Sequence, residues 1–265
     1  MARSIFITGA SSGIGEALAV EFARRGYDIA IAARRADRLE AQASTLRGLG
    51  ASRVLPVTLD VTDFDGIGES LRRAAAEFGR LDIVVVNAGV ARTGALVDLA
   101  LEDFEAVTDV NLKGAFLTLR EALFQLRRQG TGGNIVLIST KNVFAPGAEF
   151  GAYSASKAGA HQLGRVAALE GAAIGVRVNL VNADAVFGGP ENPSGLWQEV
   201  GPDRAAARSV APGELEEFYR NRNLLKARVT PAHVGRAVVF FASQETPTTG
   251  AVLPVDGGLP DAFPR

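Results

Sequence analysis

Short apolar runs alternate along the chain with stretches whose apolar residues recur every three or four positions. Ser4–Ile7 is such a run, followed by Ile14, Leu18 and Phe22 at helical spacing. Asp28–Ala32, Val54–Thr58, Ile83–Val86, Ile135–Ile138, Val176–Val181 and Val252–Val255 repeat the strand signal. Helices are predicted between them. Their apolar faces are Ile67, Leu71, Ala74 and Phe78, a long stretch from about Leu101 to Arg128, the set Ala160, Leu163, Val166 and Ala167, and Val234, Val238 and Phe241 behind Pro231. A run as uniformly apolar as Ile83–Val86 suits a strand covered on both faces. Strand and helix alternate without a fixed repeat, which predicts an α/β fold on a doubly wound parallel sheet of about seven strands flanked by helices. No linker divides residues 1–265, so one domain is expected. The rhythm breaks once, between Gly188 and Arg228, where Gly, Pro and charge accumulate around a helical piece near Glu214–Asn221. An excursion at the carboxyl edge of a sheet suits a substrate lid, spanning about 187–228, or else an oligomer arm.

Ligands of such sheets bind beyond the carboxyl ends of the strands. After the first strand, Thr8-Gly9-Ala10-Ser11-Ser12-Gly13-Ile14-Gly15 leads into a helix. Gly9 permits a tight turn, Gly13 lets the backbone approach a pyrophosphate, Gly15 lets the helix pack on the strand, and the helix N-terminus presents free N–H groups. The spacing G-x-x-x-G-x-G is not the general G-x-G-x-x-G fingerprint, and its flanking strand and helix are what distinguish it from a plain glycine turn. After the second strand, Ala33 supplies no carboxylate for an NAD ribose, whereas Arg34, with Arg35 beside it, suits a 2′-phosphate. NADP is therefore expected ahead of NAD, the alternative being that both arginines only solvate the next helix. Asp60-Val61 offers a carboxylate to an adenine amino group, and Asn87-Ala88-Gly89 is a small-residue turn suited to close approach of a ligand. Asn111 falls inside the long helix, where an asparagine is ordinarily exposed.

Tyr153 and Lys157 stand four residues apart at the start of a helix and so share one face. An unperturbed tyrosine, with a pKa of about 10, is a poor base near neutrality, and an adjacent ammonium lowers that value toward a useful range. The same pair also occurs on ordinary solvated helix faces, so its weight comes from its surroundings.

Composition narrows the chemistry further. The 265 residues are 47% hydrophobic and 22% charged, which suits a compact protein, and 28 basic against 29 acidic residues argue against a nucleic-acid or anionic-membrane surface. With no cysteine and only His161 and His233, thiolate chemistry is excluded and a histidine-rich metal site is not expected. No run approaches a membrane span and no charged, apolar leader opens the chain, so a cytoplasmic location and small-molecule partners are expected.

Taken together, Thr8-Gly9 through Gly13-Ile14-Gly15, Asn87-Ala88-Gly89, Asn111, Tyr153 with Lys157, and the closing Val255-Asp256-Gly257-Gly258 resemble the short-chain dehydrogenase/reductase family over nearly the whole length. The resemblance implies a Rossmann-like fold and interconversion of an alcohol with its carbonyl by hydride transfer to or from NADP, or less readily NAD. Tyr153 would be the acid/base, Lys157 would lower its pKa and hold the nicotinamide ribose, and Asn111 would hold a relay water. Ser11, Ser12 and Val186 join the cofactor-contacting positions. The family's serine, thirteen residues before the tyrosine, corresponds to Thr140, with Ser139 held in reserve. A threonine hydroxyl donates and accepts as serine does, with a more restricted rotamer. The family commonly assembles through its long helices, so a homodimer or homotetramer is expected.

Where the family usually carries Pro-Gly after the sixth strand, this chain has Ala183-Asp184. Val181–Val186, Ser139–Asn142, Glu214–Arg222 and Pro254–Arg265 are similar to the dehydrogenase half of bifunctional rhamnulose-phosphate aldolase/lactaldehyde dehydrogenases. Lys141, Asn142, Glu149 and Asp184 would suit a substrate with several hydroxyls, a small hydroxyaldehyde, ketone or sugar, although Asp184 also reads as a brace for the lid. A catalytically weak nucleotide sensor or scaffold is the alternative that Thr140 and Asp184 raise.

Overall fold

The computed structural model describes residues 2–189 and 193–262. The chain forms β1 (Ser4–Thr8), α1 (Gly13–Ala23), β2 (Asp28–Ala33), α2 (Ala36–Gly48), β3 (Arg53–Thr58), α3 (Phe64–Phe78) and β4 (Ile83–Val86). It continues through α4 (Leu101–Thr108), α5 (Gly114–Gln129), β5 (Gly133–Thr140), α6 (Gly151–Ala172) and β6 (Val176–Ala183). Two helices, α7 (Gly195–Ala206) and α8 (Leu215–Arg222), precede α9 (Pro231–Ser243) and β7 (Val252–Val255). All strand pairs are parallel, in the order β3-β2-β1-β4-β5-β6-β7.

Strand side chains alternate between two apolar layers. Ile5, Ile7, Ile29, Ile31 and Val85 pack with Leu18 and Phe22 of α1, Leu39 and Leu46 of α2, and Val234 and Phe241 of α9. Phe6, Ala30, Val84 and Leu137 point the other way, against Ile67 and Leu71 of α3, Leu119 and Leu126 of α5, and Ala160 and Ala167 of α6. With both faces covered, most positions within the central strands are apolar and the few polar ones are buried with them, which is why these strands read as largely apolar runs. The strand order reverses beside β1, between β1 and β4, and that switch point opens the crevice at the carboxyl ends.

Two features depart from the sequence expectation. The long helix from Leu101 is not continuous: Asp109–Lys113 forms a π turn between α4 and α5, and Asn111 on it is 1% exposed rather than solvated. The segment between β6 and α9 holds two helices instead of one, because Ser194 caps α7 by accepting from the Trp197 N–H at 3.4 Å, and α7 runs through Pro202 despite the lost backbone donor. Residues 190–192 of the 187–228 stretch, and 263–265 of the closing run, lie outside the described residues.

One hydroxyl joins the carboxyl ends on either side of the switch point. Thr8 Oγ1 donates to the Val85 carbonyl at 3.2 Å and accepts from the Asn87 and Ala88 N–H groups at 3.0 and 3.2 Å. Thr8 is fully buried, so Thr8→Val keeps the shape while orphaning those two donors. It should lower unfolding stability by about 2–4 kcal/mol in chemical denaturation; a loss below about 0.5 kcal/mol would show that the hydroxyl does not hold the junction.

Candidate active site

A cavity of about 310 Å³ runs along the carboxyl ends of the sheet from the α1 turn to α7 and α8. At one end stand Ser11, Ser12, Gly13, Arg34, Arg35 and Asp60; at the other stand Thr140, Lys141, Tyr153, Asp184 and Val186. Gly9, Ile14, Val61, Asn87, Ala88, Gly89 and Lys157 line it between them. Every candidate residue named from sequence except Asn111, Gly15 and Glu149 lines this one cavity. Gly13 has φ +58, which a side chain would strain. A Cβ at Gly15 would fall 2.7 Å from Asn87 Nδ2 and collide with the Gly9 carbonyl, so its role is packing under the turn. Asn87 braces the turn from below, donating from Nδ2 to the Thr8 and Gly9 carbonyls at 2.9 and 3.2 Å.

The residues present fit a dinucleotide. The N-terminus of α1 faces the cavity, where its dipole favours phosphate. Arg35 reaches over the turn, donating to Ser11 Oγ at 2.8 Å and Ser12 Oγ at 3.2 Å, while Arg34 beside it is exposed. No carboxylate ends β2, where Ala33 stands. Asp60 Oδ1 accepts from the Thr62 N–H and hydroxyl at 2.9 and 2.8 Å, and the backbone bond in particular holds its pKa below the usual carboxylate range.

Asn111 is tied into the walls. Its Nδ2 donates to the Val90 carbonyl at 2.8 Å and to Ser156 Oγ at 3.2 Å, and its Oδ1 accepts from the Val90 N–H at 2.9 Å. Gly89 makes room beside it: a Cβ there would stand 3.2 Å from Asn111 Oδ1 and 3.4 Å from Lys157 Nζ. Lys157 is buried and donates to the Ile138 carbonyl at 3.0 Å. Burial depresses its pKa to about 8. The Tyr153 phenol is pushed up to about 12, chiefly by burial, with the neighbouring Thr140 hydroxyl pulling it down. Its ring packs edge-on against Phe150 at 5.3 Å. In this arrangement the ammonium is turned to a backbone carbonyl, and burial outweighs the expected lowering of the tyrosine pKa.

The two hydroxyls at the end of β5 part company. Ser139 Oγ lies 3.1 Å from His161 Nδ1 on α6, whereas Thr140 Oγ1 accepts from the Asn142 N–H at 3.3 Å on the cavity side. Adjacent strand residues face opposite ways, and although both line the cavity it is the Thr140 hydroxyl that reaches the Tyr153 phenol. Asp184 receives a hydrogen bond from Arg222 Nη2 of α8 at 2.8 Å; burial raises its pKa and Arg222 opposes the rise. Glu149 pairs with Arg204 at 3.3 Å, and Lys141 donates to the Ala145 carbonyl at 2.7 Å. Asp184 thus holds α8 to the end of β6 and Glu149 holds α7 to the loop before α6, and Asn142 lines the cavity beside them.

Sequence reasoning missed Trp197, Arg204, Arg208 and Tyr219, which line the same cavity. Trp197 stacks on Phe187 at 4.1 Å and meets Tyr219 at 5.1 Å, forming the apolar underside of this segment. Trp197, Arg204 and Arg208 are spaced for one helical face; Gly195, Gly201 and Pro202 obscure that signal in the sequence.

The family model described as short chain dehydrogenase matches residues 3–188. The chain is 37% identical over 261 residues to the uncharacterized oxidoreductase YuxG of Bacillus subtilis (strain 168), covering 98% of itself but only 37% of that longer protein. It is 31% identical over 259 residues to an L-rhamnose 1-dehydrogenase (NAD(P)(+)) of Sphingomonas sp. (strain SKA58), covering 97% of itself and 96% of the relative. A solved short-chain type dehydrogenase/reductase from Mycobacterium marinum superposes with a TM-score of 0.84 at 28% identity, over 97% of this chain and 95% of that one.

The buried lysine has a measurable consequence for stability. Its pKa falls from the ordinary 10.5 to about 8, so below pH 8 folded and unfolded states both carry the proton and the fold bears the whole penalty of a buried charge. Between about pH 8 and 10.5 the unfolded chain holds more protons, so stability rises with pH and the penalty fades. Lys157→Met should therefore stabilise the nucleotide-free protein at pH 7 by about 2 kcal/mol, a gain that shrinks toward pH 10. Thermal unfolding across that range checks it, and destabilisation at pH 7 would show that the bond to Ile138 outweighs the charge penalty.

Proposed function

Since the chain belongs to the short-chain dehydrogenase family, we propose that it is an NADP-preferring oxidoreductase interconverting a secondary alcohol, hydroxyaldehyde or sugar with its carbonyl or oxidised counterpart. Tyr153 is its acid/base. The observation that carries this reading is the placement of the Tyr153 phenol and the Thr140 hydroxyl at one end of a cavity whose other end is the α1 turn. The nicotinamide, when bound, accepts or supplies the hydride. Thr140 orients the substrate oxygen, and Tyr153 gives that oxygen a proton in carbonyl reduction and takes it back in alcohol oxidation. A phenol with its pKa at about 12 stays protonated near neutrality, ready to donate. For the oxidative direction the phenolate needs Lys157, one helical turn along, as its counter-charge. The Asn111 side-chain N–H groups are both engaged, so a relay water falls to its remaining Oδ1 lone pair or to a backbone carbonyl freed by the π turn.

Preference for NADP rests on Arg34 and Arg35 beside the Ser11 turn and on the absence of a carboxylate at the end of β2. The NAD(P)-using rhamnose dehydrogenase supports a small hydroxylated substrate. A chain matching 37% of a longer oxidoreductase also accommodates its likeness to one half of a bifunctional aldolase/dehydrogenase. No helix among the described residues is long and apolar enough to cross a membrane. Exposed Phe116, Phe124, Val166 and Leu169 on α5 and α6 favour pairing of those helices in a homodimer or homotetramer.

Tyr153→Phe should reduce turnover of any accepted substrate by about a thousandfold or more, with nucleotide binding retained; full activity would overturn the acid/base assignment. Arg34→Asp should weaken NADP far more than NAD in fluorescence titrations. Equal losses would move recognition of the 2′-phosphate elsewhere.

A further inference from the structure

Four cations surround the substrate end of the cavity: Lys141 at the end of β5, Arg204 and Arg208 on and just after α7, and Arg222 at the end of α8. Two carboxylates answer them. Asp184 takes Arg222 and Glu149 takes Arg204. The Lys141 ammonium shares Asp184 with Arg222 and donates to one backbone carbonyl, and the Arg208 side chain makes no hydrogen bond to any described residue. The Nε atoms of Arg208 and Arg222 are shielded from solvent and unpartnered. A guanidinium N–H removed from water without an acceptor is costly, and native proteins keep few of them. Arg204, Arg208 and Arg222 all act electrostatically on Lys141, so the excess positive charge is concentrated in one place. The apolar wall opposite is Trp197 and Tyr219, with the Arg222 guanidinium 4.2 Å over the Tyr219 ring. This cluster stands beside Thr140, away from Arg34 and Arg35 at the nucleotide-ribose end of the cavity.

Building on the reading of the site as a hydride-transfer centre, we propose that the substrate is an anion, an alcohol or carbonyl compound whose carboxylate or phosphate group is held by Arg208 and Arg222 with Lys141. Guanidinium groups present N–H pairs that match the oxygens of either anion, and such charge-assisted bonds strengthen in a shielded pocket. The Asp184–Arg222 pair aims the Arg222 guanidinium while leaving its Nε available. A neutral polyol satisfies neither orphaned donor as well, since its hydroxyl carries no compensating charge.

Trp197 is the only tryptophan of the chain and lines this cavity, so its fluorescence reports binding directly. With saturating NADP, the protein is titrated with glycerate and 3-hydroxybutyrate, with glycerol 3-phosphate, and with glycerol and 1,2-propanediol as neutral counterparts. At least tenfold tighter binding of one anionic arm is expected, and the arm that binds distinguishes carboxylate from phosphate. Arg208→Met, which breaks no ion pair, should remove that advantage, and Arg222→Lys should reduce it without leaving Asp184 unpaired. Arg220→Met, on the outer side of α8 against Glu217, serves as the charge control and should leave it unchanged. Equal binding of neutral and anionic probes, binding of neither, or an advantage that survives both substitutions overturns the inference. So does a matching loss of NADP affinity in Arg208→Met, which would assign the cations to the cofactor phosphates. None of these readings depends on Tyr153: a full-activity Tyr153→Phe would sink the acid/base reading alone, and a failed titration would sink the anion alone.

Discussion

The Asn111 side chain trades two hydrogen bonds with the backbone of Val90, and the geometry of the site depends on that exchange. Val90 follows β4 at the point where the sheet ends, so its N–H and C=O have no strand to pair with, and a primary amide matches both groups at once. To bring the amide there, the helix widens into a π turn, which a regular α-helix would not do without such compensation. The second Nδ2 proton goes to Ser156, whose hydroxyl donates to the Tyr153 carbonyl at 2.9 Å. One buried side chain thereby fixes the β4 turn, the start of α5 and the first turn of α6 relative to one another. Because these bonds are shielded from water, each is stronger and more expensive to break than its surface counterpart.

That rigidity is maintained against electrostatic cost. Burial displaces Tyr153 and Lys157 in opposite directions, the phenol upward and the ammonium downward, so both are driven toward their neutral forms. A phenolate–ammonium pair, once formed, relieves both penalties together. Stability surrendered at a buried ionisable pair is common at catalytic centres, in keeping with the acid/base role proposed for Tyr153. The same tension recurs around Lys141, where burial lowers an ammonium pKa among three arginines.

The seven strands are legible in the sequence because the sheet is largely covered on both faces and their runs are therefore predominantly apolar, even where Arg177 and Asn179 interrupt β6. Their ends are less so: β5 and β6 extend to Thr140 and Ala183, since pairing continues through polar residues that carry no apolar signal. The glycine turn is legible because φ and close approach restrict Gly13 and Gly15 to glycine. The π turn is not, because its cause, the unpaired backbone of Val90, lies twenty-one residues away. For the same reason Asp184 and Glu149 look like free carboxylates in sequence. Their partners, Arg222 and Arg204, come from a segment whose Gly and Pro content disguises one of its two helices.

A period of two sends the Ser139 and Thr140 side chains different ways, a difference that composition does not show. Both are hydroxyls at the end of one strand, and both are buried. Successive side chains on a strand take opposite faces, so they cannot serve the same oxygen. Ser139 turns to His161, whose ring also meets Phe144 edge-on at 5.5 Å and whose pKa burial lowers, keeping it a neutral partner. Thr140 turns to the cavity, where its branched Cβ narrows the rotamers open to its hydroxyl. The two residues therefore divide the work, although both line the cavity. Ser139 ties β5 to α6 and so holds the helix that carries Tyr153, while the Thr140 hydroxyl reaches the Tyr153 phenol.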